Sequence, residues 1–136
     1  MTSYIPEAIR SAVTARAQGK CEYCLLHQRY GASPHEIDHI IPEKHRGETQ
    51  IDNLCLACFE CNRYKGTSFA SFDPQTQAII PLFNPRQQSW SDHFYLKGGE
   101  IIPTTSIGEV TEFVLRLNDE ERLETRKLLL LTGFYP

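Results

Sequence analysis

The chain has 136 residues, a length that fits a single domain. Its hydrophobic content of 40% is typical of a soluble globular protein, and no apolar run approaches the ~18 residues of a membrane span. The net charge of −3 argues against a strongly basic nucleic-acid binder, but the excess is local: residues 1–99 hold ten Lys/Arg and ten Asp/Glu, whereas residues 100–136 hold four and seven.

The start of the chain and its cysteines indicate where the protein works. The first seven residues lack the basic and apolar segments of a secretory signal, so we expect a cytoplasmic protein. Five cysteines, an odd number, fall in two tight clusters. In a cytoplasmic chain, such clusters favour metal binding over disulfides.

The first half of the chain predicts a helix and a ββα unit. Apolar spacing predicts a helix over 6–18, because Pro6 suits a first helical position and Gly19 a stop. Isoleucine-rich residues 36–41 predict a strand that Pro42 ends, and residues 53–57 predict a second strand. A polar loop joins these strands, and a helix is predicted over 62–69.

The second half predicts a hairpin and two helices. Residues 73–92 contain three prolines and are predicted to be irregular, whereas Gly98-Gly99 predicts a hairpin between 93–96 and 100–102. Helices are predicted over 107–117 and 119–131, the latter with Asn118 as N-cap and Gly133 as stop. The predicted fold is a single α+β domain over 1–136, with a core over 21–69 and a hairpin and helical extension over 70–136.

Two CxxC pairs separated by 33 residues predict a zinc site built from Cys21, Cys24, Cys58 and Cys61. Zn²⁺ favours four tetrahedral ligands, so two thiolate pairs fill its shell and the site is predicted to be structural. Cys55 and Cys58 also form a CxxC pair. We prefer Cys58 with Cys61, because Cys55 then lies on the second strand as a small buried hydrophobe.

Between the cysteine pairs lie the polar residues Asp38, His39, Asn53 and Asn62. Phosphodiester hydrolysis needs a base and a cation; an imidazole suits the first task, and the oxygens of Asp38 and Asn62 suit Mg²⁺. Adjacent residues on a regular strand point to opposite faces. We therefore expect a strand end or a bulge at Asp38-His39.

The order and spacing of these residues resemble the HNH endonuclease family, through the segments Ile37-Asp38-His39-Ile40-Ile41-Pro42, Gly47, Asp52-Asn53-Leu54 and Cys58-x2-Cys61-Asn62-x2-Lys65. The resemblance implies a ββα-metal finger in which His39 is the general base. It also implies that Asp38 and Asn62 hold one Mg²⁺ or Mn²⁺ ion and that Asn53 braces the loop. The four cysteines match the zinc-bound subclass, whereas Arg46 stands where the family's loop has a glycine.

The predicted function is metal-dependent cleavage of DNA with low sequence specificity, because no base-reading motif stands out. The predicted phosphate contacts are Arg46, Arg63 and Lys65, and the neutral charge of residues 1–99 predicts weak, salt-sensitive binding. Two alternatives stay open. One is a non-catalytic zinc-dependent module that binds DNA or protein, and the other is a nuclease with the same site that acts on RNA or on particular DNA structures.

Overall fold

The computed structural model describes residues 3–136. Met1 and Thr2, which open the segment in which no secretory signal is recognised, lie outside the described residues. Residues 3–136 form four α-helices and three two-stranded antiparallel sheets. The helices are α1 (Glu7–Arg16), α2 (Phe59–Lys65), α3 (Ser106–Leu115) and α4 (Glu120–Thr132), and the strands are β1 (Glu36–His39), β2 (Leu54–Ala57), β3 (Ala70–Asp73), β4 (Ala78–Pro81), β5 (Phe94–Lys97) and β6 (Glu100–Pro103).

A ββα unit forms the centre of the first half. β1 pairs with β2 in a register that places Asp38 opposite Cys55 and His39 opposite Leu54. α2 follows β2 after Cys58, whose sulfur accepts a hydrogen bond from the Cys61 N–H at the helix start. Behind the pair, Val13 of α1 packs on Leu54 and Leu56, and all three side chains are buried. The predicted mixed α/β fold with a ββα unit is therefore confirmed.

The ends of two predicted elements were wrong. β1 ends at His39 rather than at residue 41, because the N–H of Ile41 donates to the side chain of Asn53 instead of to a strand. α2 begins at Phe59, earlier than predicted, and ends at Lys65 rather than near residue 69. Gly66 has a φ of +51°, a left-handed backbone that favours glycine and ends the helix.

The stretch predicted to be irregular contains the hairpin of β3 and β4 in its first part. The carboxylate of Asp73 accepts hydrogen bonds from the Gln75 N–H at 3.1 Å and from the Thr76 hydroxyl at 3.0 Å. This side-chain cap supplies the turn that a glycine pair supplies in the next hairpin. The predicted hairpin around Gly98-Gly99 is confirmed as β5 and β6.

The predicted N-cap of α4 was wrong. Asp119 occupies that position without a side-chain cap bond. The Asn118 amide instead bonds both backbone groups of Ile101 on β6, at 2.9 Å to its nitrogen and 2.8 Å to its oxygen, and accepts a bond from Arg126. Asn118 therefore joins β6 to α4 rather than starting the helix.

The C-terminal extension packs on the first cysteine pair. The Trp90 indole N–H donates to the Tyr23 carbonyl at 2.8 Å, and the Tyr135 hydroxyl donates to the Cys24 carbonyl at 2.7 Å. Arg86 forms an ion pair with Glu22 beside them. One buried cluster unites the four paired cysteines with apolar side chains of the extension. Among residues 3–136, no helix combines the length and apolar character needed to cross a membrane.

Candidate active site and metal centre

A cleft of about 240 Å³ opens where β1 ends and the chain turns toward the loop. Asp38 and His39 reach it from β1, and Asn62 reaches it from α2. Three of the sequence-predicted site residues are therefore brought together. Asp38 and His39 both line the cleft, and His39 is the last residue of β1.

The His39 imidazole is fixed through one of its two nitrogens. The side chain is 8% exposed, and Nε2 lies 2.9 Å from the Thr49 hydroxyl oxygen. The Glu43 carboxylate is 3.8 Å from the same nitrogen. Hydrogen bonds from the Ser3 hydroxyl and N–H hold the pKa of Glu43 below its usual range. The other nitrogen, Nδ1, has no hydrogen-bond partner within residues 3–136.

Asn53 holds the loop that follows β1. Its Oδ1 accepts from the Ile41 N–H at 2.9 Å, and its Nδ2 donates to the carbonyls of Ile41 and Glu48 at 3.0 and 2.9 Å. Gly47 lies against the same backbone, where an added Cβ would stand 1.7 Å from the Ile41 carbonyl oxygen. Three hydrogen bonds and one close approach thus fix the loop beside His39.

The carboxylate of Asp38 lies in a buried polar network. It is 4% exposed and accepts a 2.8 Å hydrogen bond from the Tyr23 hydroxyl, whose pKa is raised by burial and then by the negative charges of Cys55 and Asp38. The Lys65 ammonium lies 3.1 Å from Oδ2 and donates to the His39 carbonyl at 2.9 Å. With its side chain buried there, Lys65 does not face solvent, so its position does not support the predicted phosphate contact.

Asn62 is oriented by a residue on the neighbouring strand. Its Nδ2 donates to the Glu36 carboxylate at 2.7 Å, which leaves the amide oxygen without a donor among residues 3–136. Oδ1 of Asp38 is contacted by Lys65 at 3.3 Å and retains capacity for a further partner. A carboxylate oxygen and an amide oxygen on one cleft fit a hard divalent cation.

The four paired cysteines converge in a buried cluster. The sulfurs of Cys21, Cys24, Cys58 and Cys61 all lie within 4.8 Å of one another, and those of Cys24 and Cys58 are 3.7 Å apart. A tetrahedral Zn²⁺ with bonds of about 2.3 Å separates its sulfur ligands by about 3.8 Å, so the donor set fits zinc. Cys55 is absent from this group of four sulfurs, which agrees with the preference for Cys58 with Cys61.

Comparison with known proteins agrees with this geometry. Residues 21–68 match the family model described as HNH endonuclease. This segment is therefore similar to HNH endonuclease domains. The Septu protein PtuB of Bacillus thuringiensis is 27% identical over 131 residues, which cover 91% of this chain and 46% of that protein. The chain therefore spans less than half the length of this relative. No solved structure matches it significantly.

Two exposed arginines are close in sequence to residues that line the cleft: Arg46 comes two residues after Lys44, and Arg63 directly follows Asn62. Arg46 is exposed and has a φ of +72°, in the left-handed region that favours the glycine expected there. Arg63 is exposed on α2, with its guanidinium 4.5 Å from the centroid of the Phe59 ring. This stacking limits the freedom of the side chain but leaves its charge toward solvent.

The cluster of four cysteines has a cationic neighbour. The Arg122 guanidinium donates to the Cys61 sulfur at 2.8 Å and also to the carbonyls of Leu115 and Arg116. Burial lowers the pKa of the Arg122 guanidinium. The thiolates beside it raise this pKa by more than burial lowers it, so the net shift is upward. Four thiolates around one Zn²⁺ would carry a net charge of −2, which this guanidinium would partly balance.

Three residues of these sites were missed from the sequence. Thr49 contacts His39, Glu36 orients Asn62, and Arg122 contacts Cys61. Thr49 and Glu36 lie within or beside the predicted motif, and their position there was the one available signal. No sequence signal points to Arg122, because 61 residues separate it from the thiolate it contacts.

Proposed function

We propose that the chain is a metal-dependent endonuclease that hydrolyses DNA phosphodiester bonds, with His39 as general base. The observation that carries the proposal is the meeting of Asp38, His39 and Asn62 at one cleft, beside a loop that Asn53 braces. The HNH assignment of residues 21–68 supports a nuclease-type activity. Hydrolysis of DNA in particular, and the roles of single residues, belong to this proposal.

Each side chain has a separate task in the proposed reaction. The His39 imidazole accepts a proton from the attacking water. Asp38 and Asn62 hold one divalent ion, Mg²⁺ or Mn²⁺, which when bound neutralises charge on the phosphate and the leaving oxygen. Lys65 fixes the carboxylate of Asp38, and Asn53 keeps the loop in place.

Binding of the polyanion falls to the exposed arginines. Arg46 and Arg63, which are close in sequence to lining residues of the cleft, supply positive charge for phosphates without reading bases. Few such contacts in a chain of net charge −3 predict weak, salt-sensitive binding of low sequence specificity. The four cysteines of the cluster would hold one structural zinc ion and fill its coordination shell, so that the ion would take no part in hydrolysis.

Nicking of supercoiled plasmid DNA tests the proposal. The zinc-loaded chain is assayed with Mg²⁺ or Mn²⁺ added, with both omitted, and with EDTA, and zinc content is measured after each treatment because EDTA also strips thiolate sites. His39→Ala should abolish metal-dependent nicking while folding and zinc are retained. His27→Ala is the matched control, since His27 is not among the residues that line the cleft and its Nδ1 accepts a hydrogen bond from the Arg29 N–H. Equal nicking by wild type and His39→Ala would contradict the proposal.

One observation favours the non-catalytic alternative. The Lys65 ammonium already pairs with Asp38, the carboxylate that is meant to hold the ion. If that pair excluded divalent ions, the folded, zinc-loaded chain would bind DNA or a protein partner without cutting, and His39→Ala would bind equally well. A panel of duplex, nicked, branched and single-stranded DNA together with RNA separates this outcome from a nuclease with a narrower substrate.

A further inference from the structure

The loop between β1 and β2 places the Thr49 hydroxyl beside the Nε2 atom of the His39 ring. Thr49 Oγ1 lies 2.9 Å from Nε2, and both side chains are partly or wholly buried. The loop is fixed directly before this residue, because the Glu48 carbonyl accepts a hydrogen bond from Asn53 at 2.9 Å. The hydroxyl is thus held in place by the backbone rather than resting against the ring by chance.

The charge near the ring favours one of its two neutral forms. Glu43 places a carboxylate 3.8 Å from Nε2, and Ser3 holds that carboxylate through its hydroxyl and its N–H. A negative charge beside Nε2 favours a proton on that nitrogen over one on Nδ1. Nδ1 has no hydrogen-bond partner within residues 3–136. It is also not one of the polar side-chain atoms there that are both fully buried and without a partner.

We infer that Thr49 is a positioning residue for His39: its hydroxyl oxygen accepts a hydrogen bond from Nε2–H and leaves the Nδ1 lone pair facing the cleft. The inference deepens the proposed function and rests on it for its catalytic consequence. In that reaction, Nδ1 takes one proton from water, the resulting hydroxide forms the new bond to phosphorus, and the leaving oxygen takes its proton from solvent as its bond breaks. Orientation of a base through its second nitrogen is a general device of histidine sites.

The state of the ring can be measured without any assay of activity. The full chain, zinc-loaded and carrying ¹⁵N-histidine, is studied by long-range ¹H–¹⁵N correlation at a pH where the imidazole is neutral. We expect a protonated Nε2 and an unprotonated Nδ1 for His39. Thr49→Ser should keep this pattern, whereas Thr49→Val should give a mixture of both forms. His93, whose Nδ1 lies 2.7 Å from the Thr105 hydroxyl outside the cleft, is an internal reference that should not change.

Two results would overturn the inference: a wild-type His39 with its proton on Nδ1, or a Thr49→Val chain with the wild-type pattern. Cleavage kinetics give a second readout, in which Thr49→Val lowers kcat about ten-fold, a part of the ~10²–10⁴-fold that a general base contributes, and leaves KM nearly unchanged. Thr49→Ser should restore most of kcat, and Thr132→Val, on the exposed side of α4, should not alter it.

The two readouts separate this inference from the proposed function. If the ring shows the expected form and its dependence on Thr49, but wild type cleaves no nucleic acid, the nuclease proposal fails and the positioning role of Thr49 stands. If wild type cleaves DNA in a His39-dependent way while Thr49→Val changes neither ring nor kcat, the nuclease proposal stands and the role of Thr49 is overturned.

Discussion

The ammonium of Lys65 lies 3.1 Å from Oδ2 of Asp38, and both side chains are almost completely buried. The same ammonium holds the His39 carbonyl at 2.9 Å, so one cation fixes two neighbouring residues of the candidate site. Removing one partner of a buried ion pair leaves an uncompensated charge in a medium that solvates it poorly. The site and the stability of the ββα unit therefore depend on the same contact.

Lys65→Met should lower the free energy of unfolding by about 3 kcal/mol, because Asp38 loses its cation in the protein interior. Urea unfolding of the zinc-loaded chain measures this loss. Lys97→Met, at an exposed lysine of β5, is the control and should change it by less than about 0.5 kcal/mol. Adding Asp38→Asn to Lys65→Met should recover part of the loss, and a Lys65→Met chain as stable as wild type would refute the interpretation.

Arg122→Gln should weaken zinc binding by about ten-fold or more, since a hydrogen bond to a charged group contributes about 1.5–3 kcal/mol. Competition with a chromophoric chelator measures zinc affinity directly. Arg122→Lys keeps the charge but loses the fork that also bonds two carbonyls, so its affinity should be intermediate. Arg116→Gln is the control, because that guanidinium stacks on Tyr64 instead. Unchanged affinity in Arg122→Gln would exclude a charge-balancing role.

Cys55→Ala should keep one zinc ion per chain, whereas Cys61→Ala should lose it. Cys55 is fully buried on β2 and faces Tyr23 and Asp38, outside the cluster of four sulfurs. Elemental analysis of protein purified without chelator gives the stoichiometry. Zinc lost from Cys55→Ala and kept in Cys61→Ala would reverse the assignment, and no zinc in wild type would remove the structural zinc altogether.

Gly47→Ala should destabilise the loop beside His39, because a Cβ would stand 1.7 Å from the Ile41 carbonyl oxygen and the backbone must move. We expect a loss of about 1–3 kcal/mol, the usual range for overpacking, and faster hydrogen exchange at Ile41. Gly98→Ala at a hairpin tip meets no atom within 4 Å and bears only the cost of its left-handed backbone, about 1–2 kcal/mol. Retained protection at Ile41 in Gly47→Ala would contradict the expected movement.

Arg46→Gln and Arg63→Gln should each reduce the salt dependence of DNA binding, lowering the slope of log K against log[salt] by about 1 per phosphate contact. Arg29→Gln, an exposed arginine outside the cleft, should leave the slope unchanged. Fluorescence anisotropy at several salt concentrations, with the catalytic metal omitted, gives the slopes. If all three variants matched wild type, phosphate contacts would have to be sought elsewhere on the surface.

The parts of this protein that sequence could predict are those whose cause is local. The CxxC spacing predicted the group of four cysteines, and a glycine pair predicted the second hairpin. The adjacent Asp38 and His39 required a break in the strand, and the strand does end there. In each case the relevant atoms lie within a few residues of one another, so their geometry follows from the backbone alone.

The parts that escaped prediction depend on distant partners. Asn118 is of a residue type favoured at N-caps. Its side-chain amide instead forms hydrogen bonds with the backbone N–H and carbonyl of Ile101. The sequence alone predicts that Lys65 is a surface cation. In the fold it lies beside Asp38, which is 27 residues away in sequence. The first hairpin was missed because its turn is held by the side chain of Asp73 and not by a glycine pair. Sequence alone does not rank such competing partners.

The hydrogen bonds between the C-terminal extension and the cysteine pairs join residues that are far apart in sequence, and this separation has a consequence for biosynthesis. All four thiols have been translated once Cys61 is made, but Arg122 follows 61 residues later and Tyr135 lies 111 residues beyond Cys24. At about 5–20 residues per second, the ribosome takes roughly 3–12 s to reach Arg122. During that interval the nascent chain carries its metal-binding thiols without their cover, and pulse labelling of arrested chains should find them reactive then and protected after release.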